Sequence, residues 1–194
     1  MAPGRLIFLP IMGLLVAGLC AGETSALKLL KTIPLLGVTG RFDHFALDIK
    51  GNRLFVAALG NNTLEAIDLT AGKRVQSIPG LGKPTGVLFL PDINRLFVAC
   101  GDDGNVRVFD GDTLRLLRTI SGLEDADNMR FDAKAGLISV GCGSGALAVI
   151  DAAKAETISH IKLAGYPESF QLKKNGGRIF VNVPDAQHIA VMKA

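Results

Sequence analysis

From residue 28 onward the chain alternates short apolar runs with turn residues that return every 8–12 positions. The strongest run, Arg53-Leu54-Phe55-Val56-Ala57, returns as Arg95-Leu96-Phe97-Val98-Ala99 and Arg178-Ile179-Phe180-Val181-Asn182, with a weaker echo in Leu137-Ile138-Ser139-Val140-Gly141. Their third residues stand at 55, 97, 139 and 180, steps of 42, 42 and 41. A fixed period of this size marks a repeat architecture, in which one supersecondary unit is stacked on its own copies. Each unit predicts four short strands. The first holds 45–47, 54–58, 64–67 and 74–78; the second 87–90, 96–99, 106–109 and 116–120; the third 129–131, 137–140, 147–150 and 157–161. The fourth offers only 170–172, 179–181 and 189–192. Runs rich in β-branched residues, Leu and Phe between Gly, Asn and Asp turns are the all-β pattern, and no useful helical period appears after residue 27.

Four-stranded units of about 40 residues predict a β-propeller, with antiparallel blades standing side by side around a channel. A blade is covered on both faces by its neighbours, which accounts for runs that are apolar without a break. Lys28–Leu35 resembles the last strand of a unit, so it is expected to complete the fourth blade and bring the total to about four. An apolar–Asp pair closes the third strand as Ile67-Asp68, Phe109-Asp110 and Ile150-Asp151. Such an Asp is expected to accept backbone N–H bonds in the turn that follows.

The strands RLFVAAL, RLFVACG and RIFVNV, the first two followed by a Gly/Asn/Asp turn and an apolar–Asp strand end, resemble the YVTN (YncE-like) β-propeller repeat family over residues 28–194. The resemblance implies an exported bacterial propeller, commonly of about seven blades. WD-type propellers are disfavoured, because the chain has no Trp. Against the family pattern, the repeats stop after three and most of a fourth. A four-bladed ring and an open arc of a truncated propeller are both open, and the end Val191-Met192-Lys193-Ala194, which lacks the repeat's Asp, favours the arc.

Composition changes the picture at the N-terminus. Arg5 precedes an apolar run from Leu6 to Cys20, with small residues after it, so residues 1–26 read as a secretory signal peptide ahead of a propeller domain at 27–194. The run falls short of the about 20 apolar residues a membrane span needs, so no stable membrane insertion is expected after cleavage. The protein is expected in the periplasm or outside the cell. A net charge of +3 without a basic run, and aromatics limited to ten Phe and one Tyr, argue against nucleic acid as a partner. Cys100 and Cys142 occupy equivalent places in neighbouring units. Blade faces stand roughly 10 Å apart, too far for a disulfide, so both are expected as buried free thiols.

Propeller ligands meet the channel mouth, where each innermost strand begins. In register those positions are Asp43-His44, Thr85-Gly86, Asp127-Asn128 and Glu168-Ser169. Asp43, His44, Asp127, Asn128 and Glu168 are therefore the candidate ligand-binding residues. Carboxylates with an Asn and a His could hold a hard cation such as calcium, which takes about 6–8 oxygens, or could hydrogen-bond a polar ligand. A solvated rim without a ligand, a binding site and a catalytic site all fit this pattern. His160 and His188 fall in other layers and are expected at the surface, and Gly141–Gly145 reads as a hairpin turn rather than a phosphate loop. No Ser-His-Asp or Cys-His set can be placed, and no catalytic residue is assigned. The leading functional reading is a non-enzymatic binding module for a protein partner or small polar ligand. The alternative is a calcium-dependent, lactonase-like hydrolase with its site at the same rim, by analogy of fold.

Overall fold

A computed structural model describes residues 27–174 and 177–193. The chain divides into two compact units, Met1–Thr32 and Ile33–Ala194. Of the first, residues 27–32 are described and carry no helix or strand; the expected leader at 1–26 lies outside the described residues.

The second unit holds every described strand, in four antiparallel sheets whose strands pair in chain order. The first blade is β1 (Phe45–Asp48), β2 (Arg53–Ala58), β3 (Thr63–Asp68) and β4 (Lys73–Ile78). The second is β5 (Pro84–Leu90), β6 (Arg95–Cys100), β7 (Asn105–Asp110) and β8 (Leu116–Ile120). The third is β9 (Met129–Asp132), β10 (Leu137–Cys142), β11 (Ala146–Asp151) and β12 (Glu156–Lys162). The fourth is β13 (Ser169–Leu172), β14 (Ile179–Val183) and β15 (His188–Met192). The innermost strands touch in succession, β1 on β5, β5 on β9 and β9 on β13. This is the blade arrangement of a β-propeller.

Alternation along each strand sends successive side chains to opposite faces, and here both faces are dry. Leu96, Val98 and Cys100 of β6 pack with Phe55, Ala57 and Leu64 of the first blade. Phe97 and Ala99 of the same strand pack with Ile138, Val140 and Ala148 of the third. Leu147 then meets Phe170, Val181 and Val183 of the fourth. Exposure rises in the first and fourth blades: Phe180 is 38% exposed where the equivalent Phe97 is 0%, and Phe45 and Leu47 of β1 are 66% and 51% exposed. The outermost pair of each complete blade shifts register once, at Ala66/Ile67, Val108/Phe109 and Val149/Ile150. A repeated bulge adds twist at the edge strand and makes it a poorer template for further pairing.

The turn aspartates behave as expected. Asp68 Oδ1 accepts the Ala71 N–H at 2.9 Å, Asp110 Oδ1 the Thr113 N–H at 2.8 Å, and Asp151 Oδ1 the Lys154 N–H at 2.9 Å. Cys100 and Cys142 are free and buried. Burial pushes the Cys100 thiol up to about 11, against the pull of the Arg107 guanidinium, so neither its chemistry nor its position suits a nucleophile.

One expectation fails. Residues 28–35 carry no strand, and among the described residues the fourth sheet has three strands rather than four. The reason is local. Pro34 has no N–H for a ladder. Val38 N–H closes a turn on Leu35 C=O at 3.2 Å, with Gly37 at φ +78, and the chain from there runs irregularly to the start of β1.

Candidate functional site

The rim is made by the residues just before each inner strand, which continue that strand's ladder one step further. Asp43 N–H bonds Ala57 C=O at 2.9 Å and Ala57 N–H bonds His44 C=O at 3.0 Å. In the third blade the same exchange joins Asp127 and Asn128 to Gly141, each at 3.0 Å, and in the fourth Glu168 N–H reaches Asn182 C=O at 3.2 Å. Rim side chains are thus carried on backbone that strands β2, β10 and β14 hold in place.

The second blade contributes backbone instead of ligating side chains. Thr85 is buried, and its hydroxyl donates to Ala126 C=O at 2.8 Å. Gly86 lies so close to the third blade that a Cβ there would stand 2.2 Å from the Asp127 carbonyl oxygen. With no side chain at Gly86, the acidic positions of the first and third blades approach each other across the second. Ligand atoms of Asp43, His44 and Asp127 all lie within 4.8 Å of one another, and among the described residues this is the one such group of His, Cys, Asp or Glu.

Each of the two carboxylates has one oxygen fixed by a donor from the second polar ring. Arg41 Nη2 donates to Asp43 Oδ2 at 3.0 Å. Tyr166 OH donates to Asp127 Oδ2 at 2.9 Å, and the Asn128 amide approaches the same oxygen at 3.4 Å. Asp127 Oδ1 and His44 Nδ1 are buried atoms with no hydrogen-bond partner. His44 Nδ1 stands 2.8 Å from Asp43 Oδ1, yet two consecutive residues present these atoms at an angle that makes no hydrogen bond. Burial raises the Asp127 carboxyl above the usual carboxylate value, and the Asp43 and Asp125 charges add to this; the Tyr166 hydrogen bond and the nearby His44 oppose it. The same burial, with the Asp127 charge beside it, raises the Tyr166 phenol, which therefore stays a donor.

Of the five residues expected at the rim, the structure gathers Asp43, His44 and Asp127. Asn128 is buried, and its amide bridges to the Glu168 carbonyl at 3.2 Å, so it braces the third blade on the fourth. Glu168 is exposed and stands outside the group. Sequence reasoning missed a second ring two residues earlier: Arg41, Lys83, Asp125 and Tyr166. Lys83 Nζ pairs with Asp125 Oδ1 at 3.1 Å, and Tyr166 and Arg41 hold the two rim carboxylates. The signal was present, because these four polar positions repeat at the same steps of 42, 42 and 41. His160 and His188 are exposed, and Gly143–Gly145 is the turn between β10 and β11, as expected.

Open clefts lie elsewhere on the molecule. One of about 360 Å³ lies by Phe131, Asp132, Lys134 and Lys173, and one of about 480 Å³ by Asp48, Arg53, Phe89 and Asp112. Both are open spaces between turns at the far ends of inner strands. Volume without converging ligand atoms says less about chemistry than the small acidic group at the rim.

No protein-family model and no curated protein matches the sequence. The resemblance to the YVTN family is therefore carried by the strand motifs alone. Many solved structures match in fold. One is titled Kuenenia stuttgartiensis Hydrazine Synthase, with a TM-score of 0.70 at 16% identity over 77% of this chain. The match spans 45% of that solved chain, and at this identity it shows the shared propeller architecture alone.

Proposed function

We propose that this chain is a binding module that takes a small polar ligand at the rim where its inner strands begin. The observation that carries the reading is the meeting of Asp43, His44 and Asp127, from two blades that are not neighbours, with Asp127 Oδ1 and His44 Nδ1 lacking a hydrogen-bond partner. A buried acceptor without a partner costs about 1–3 kcal/mol, so a fold that leaves Asp127 Oδ1 unsatisfied beside His44 and Asp43 favours whatever fills the gap. Export belongs to the same proposal. It is supported by Arg5 and the apolar run 6–20, which lie outside the described residues, and among the described residues no helix is long and apolar enough to cross a membrane.

Amide NMR of the ¹⁵N-labelled chain tests the rim directly. A mixture of small carboxylates, amines and sugars is expected to shift amides of residues 41–44, 125–128 and 166–168, and Asp43→Ala with Asp127→Ala should abolish those shifts. Shifts that scatter over the surface, or that survive in the double variant, would remove the rim as the binding site.

A further inference from the structure

The donor set at the rim is one imidazole nitrogen and two carboxylate oxygens, and that set has a chemical preference. We infer that Asp43, His44 and Asp127 bind a divalent first-row transition cation, best matched by zinc; this rests on the reading of the rim as a ligand site and names its ligand. Calcium takes about 6–8 oxygen ligands, and the side chains gathered here offer it two carboxylates and a nitrogen. Zinc takes about four ligands and accepts His nitrogen and carboxylate oxygen together.

The geometry fits three protein ligands and one open position. Tetrahedral ligands at about 2.0–2.2 Å from zinc stand roughly 3.5 Å apart. The three side chains here already lie within 4.8 Å of one another on backbone tied to β2 and β10, so side-chain rotation closes the site. Asp127 Oδ2 is held by Tyr166 and Asn128, and Asp43 Oδ2 by Arg41. Each carboxylate therefore turns its Oδ1 toward the group, Asp127 Oδ1 without a hydrogen-bond partner and Asp43 Oδ1 2.8 Å from His44 Nδ1, while its outer oxygen is oriented by a donor, as ligating carboxylates in metal sites are. His44 would ligate through Nδ1 with its proton on Nε2. The cation would lie among these three side chains and satisfy Asp127 Oδ1 and His44 Nδ1, neither of which has a hydrogen-bond partner. A water or a polar molecule would take the fourth position.

Titration calorimetry of the chelator-treated full chain with zinc chloride tests this, with calcium and magnesium chloride in parallel. One zinc per chain is expected, bound at least tenfold more weakly by His44→Ala and by Asp127→Asn, and unchanged in His188→Ala, which alters an exposed histidine. Circular dichroism confirms that each variant is folded, and Asp43→Asn provides a second lesion on a different blade from Asp127. Absence of zinc binding, calcium binding tighter than zinc, or zinc binding indifferent to His44→Ala would overturn the inference. If rim amides respond to organic ligands while zinc leaves them unmoved, the metal assignment falls and the rim reading stands. If the rim is silent to both, both readings fall.

Discussion

At the outer turns, Asp110 Oδ1 accepts bonds from the backbone of Asp112 and Thr113 and from the Thr113 hydroxyl. At the rim, Asp127 has one oxygen held by Tyr166 and the other buried with no partner. The Thr113 bonds hold the Asp110 carboxyl below its usual value, and those of Lys154 do the same for Asp151. Burial moves Asp127 the other way. One residue type thus serves the fold in a turn and strains against it at the rim. Local backbone donors satisfy the turn aspartates within a few residues. The rim aspartate has its environment assembled from other blades, which leaves it incompletely partnered and available to a ligand.

The sharpest way to break this contrast is to push the blades apart at the rim while leaving the turns alone. Gly86→Ala places a Cβ 2.2 Å from the Asp127 carbonyl oxygen. The neighbouring backbone must move, and a loss of about 3 kcal/mol is expected in denaturant unfolding, together with loss of any rim ligand. Unchanged stability would mean that the two inner strands are not in close approach.

Asp48 offers the opposite lesion. It is 4% exposed, accepts the Gly51 N–H at 2.9 Å, and pairs with Arg53 Nη2 at 2.7 Å. Burial alone would raise its pKa, but the Gly51 and Arg53 bonds outweigh burial and the carboxyl sits below its usual value. Asp48→Ala should cost about 2 kcal/mol at pH 7. A depressed carboxylate stabilises the fold above its unfolded value of about 3.9, and that contribution is lost as pH falls through the lower folded value. The gap between the two proteins should therefore be full at neutral pH and close in acid. A gap that persisted at low pH would assign the effect to packing instead.

Asp127→Asn should do what no turn substitution does and stabilise the chain at pH 7, by less than about 1 kcal/mol. A carboxyl whose folded pKa is raised costs stability once it ionises, so the gain should shrink as pH falls through that raised value and be gone below the unfolded value of about 3.9. A lower melting temperature for the variant at pH 7 would show that Asp127 supports the fold rather than serving a ligand. Smallest of all, Tyr166→Phe removes the hydrogen bond that holds the Asp127 pKa down. Its carboxyl ¹³C titration midpoint should move upward with little change in stability, and an unmoved midpoint would exclude that contact.

Much of this contrast was legible beforehand. Rim positions 43, 127 and 168 are found by counting from the RLFVA run, and the turn aspartates follow from their place after a strand. What counting could not show is that Asn128 is engaged in bracing the fourth blade, or that Tyr166 orients Asp127. Those are contacts between side chains about 40 residues apart, decided by how far blades turn relative to one another. Residues 28–35 misled for a related reason. Their pattern matches an outer strand, but a strand exists only where a neighbour meets its hydrogen bonds.

By itself, the sequence determined the four-unit β architecture, the strands of each blade and the apolar continuity of their runs, because those depend on a period of two along a strand and of about 42 along the chain. Tertiary structure alone decided that residues 28–35 add no strand to the fourth sheet, that Gly86 lets the first and third blades converge, and that three of five candidate residues share one small space. Local propensity and turn chemistry act between near neighbours and leave their mark in the order of residues. Convergence at the rim depends on the packing of whole sheets, and no single stretch of chain encodes it.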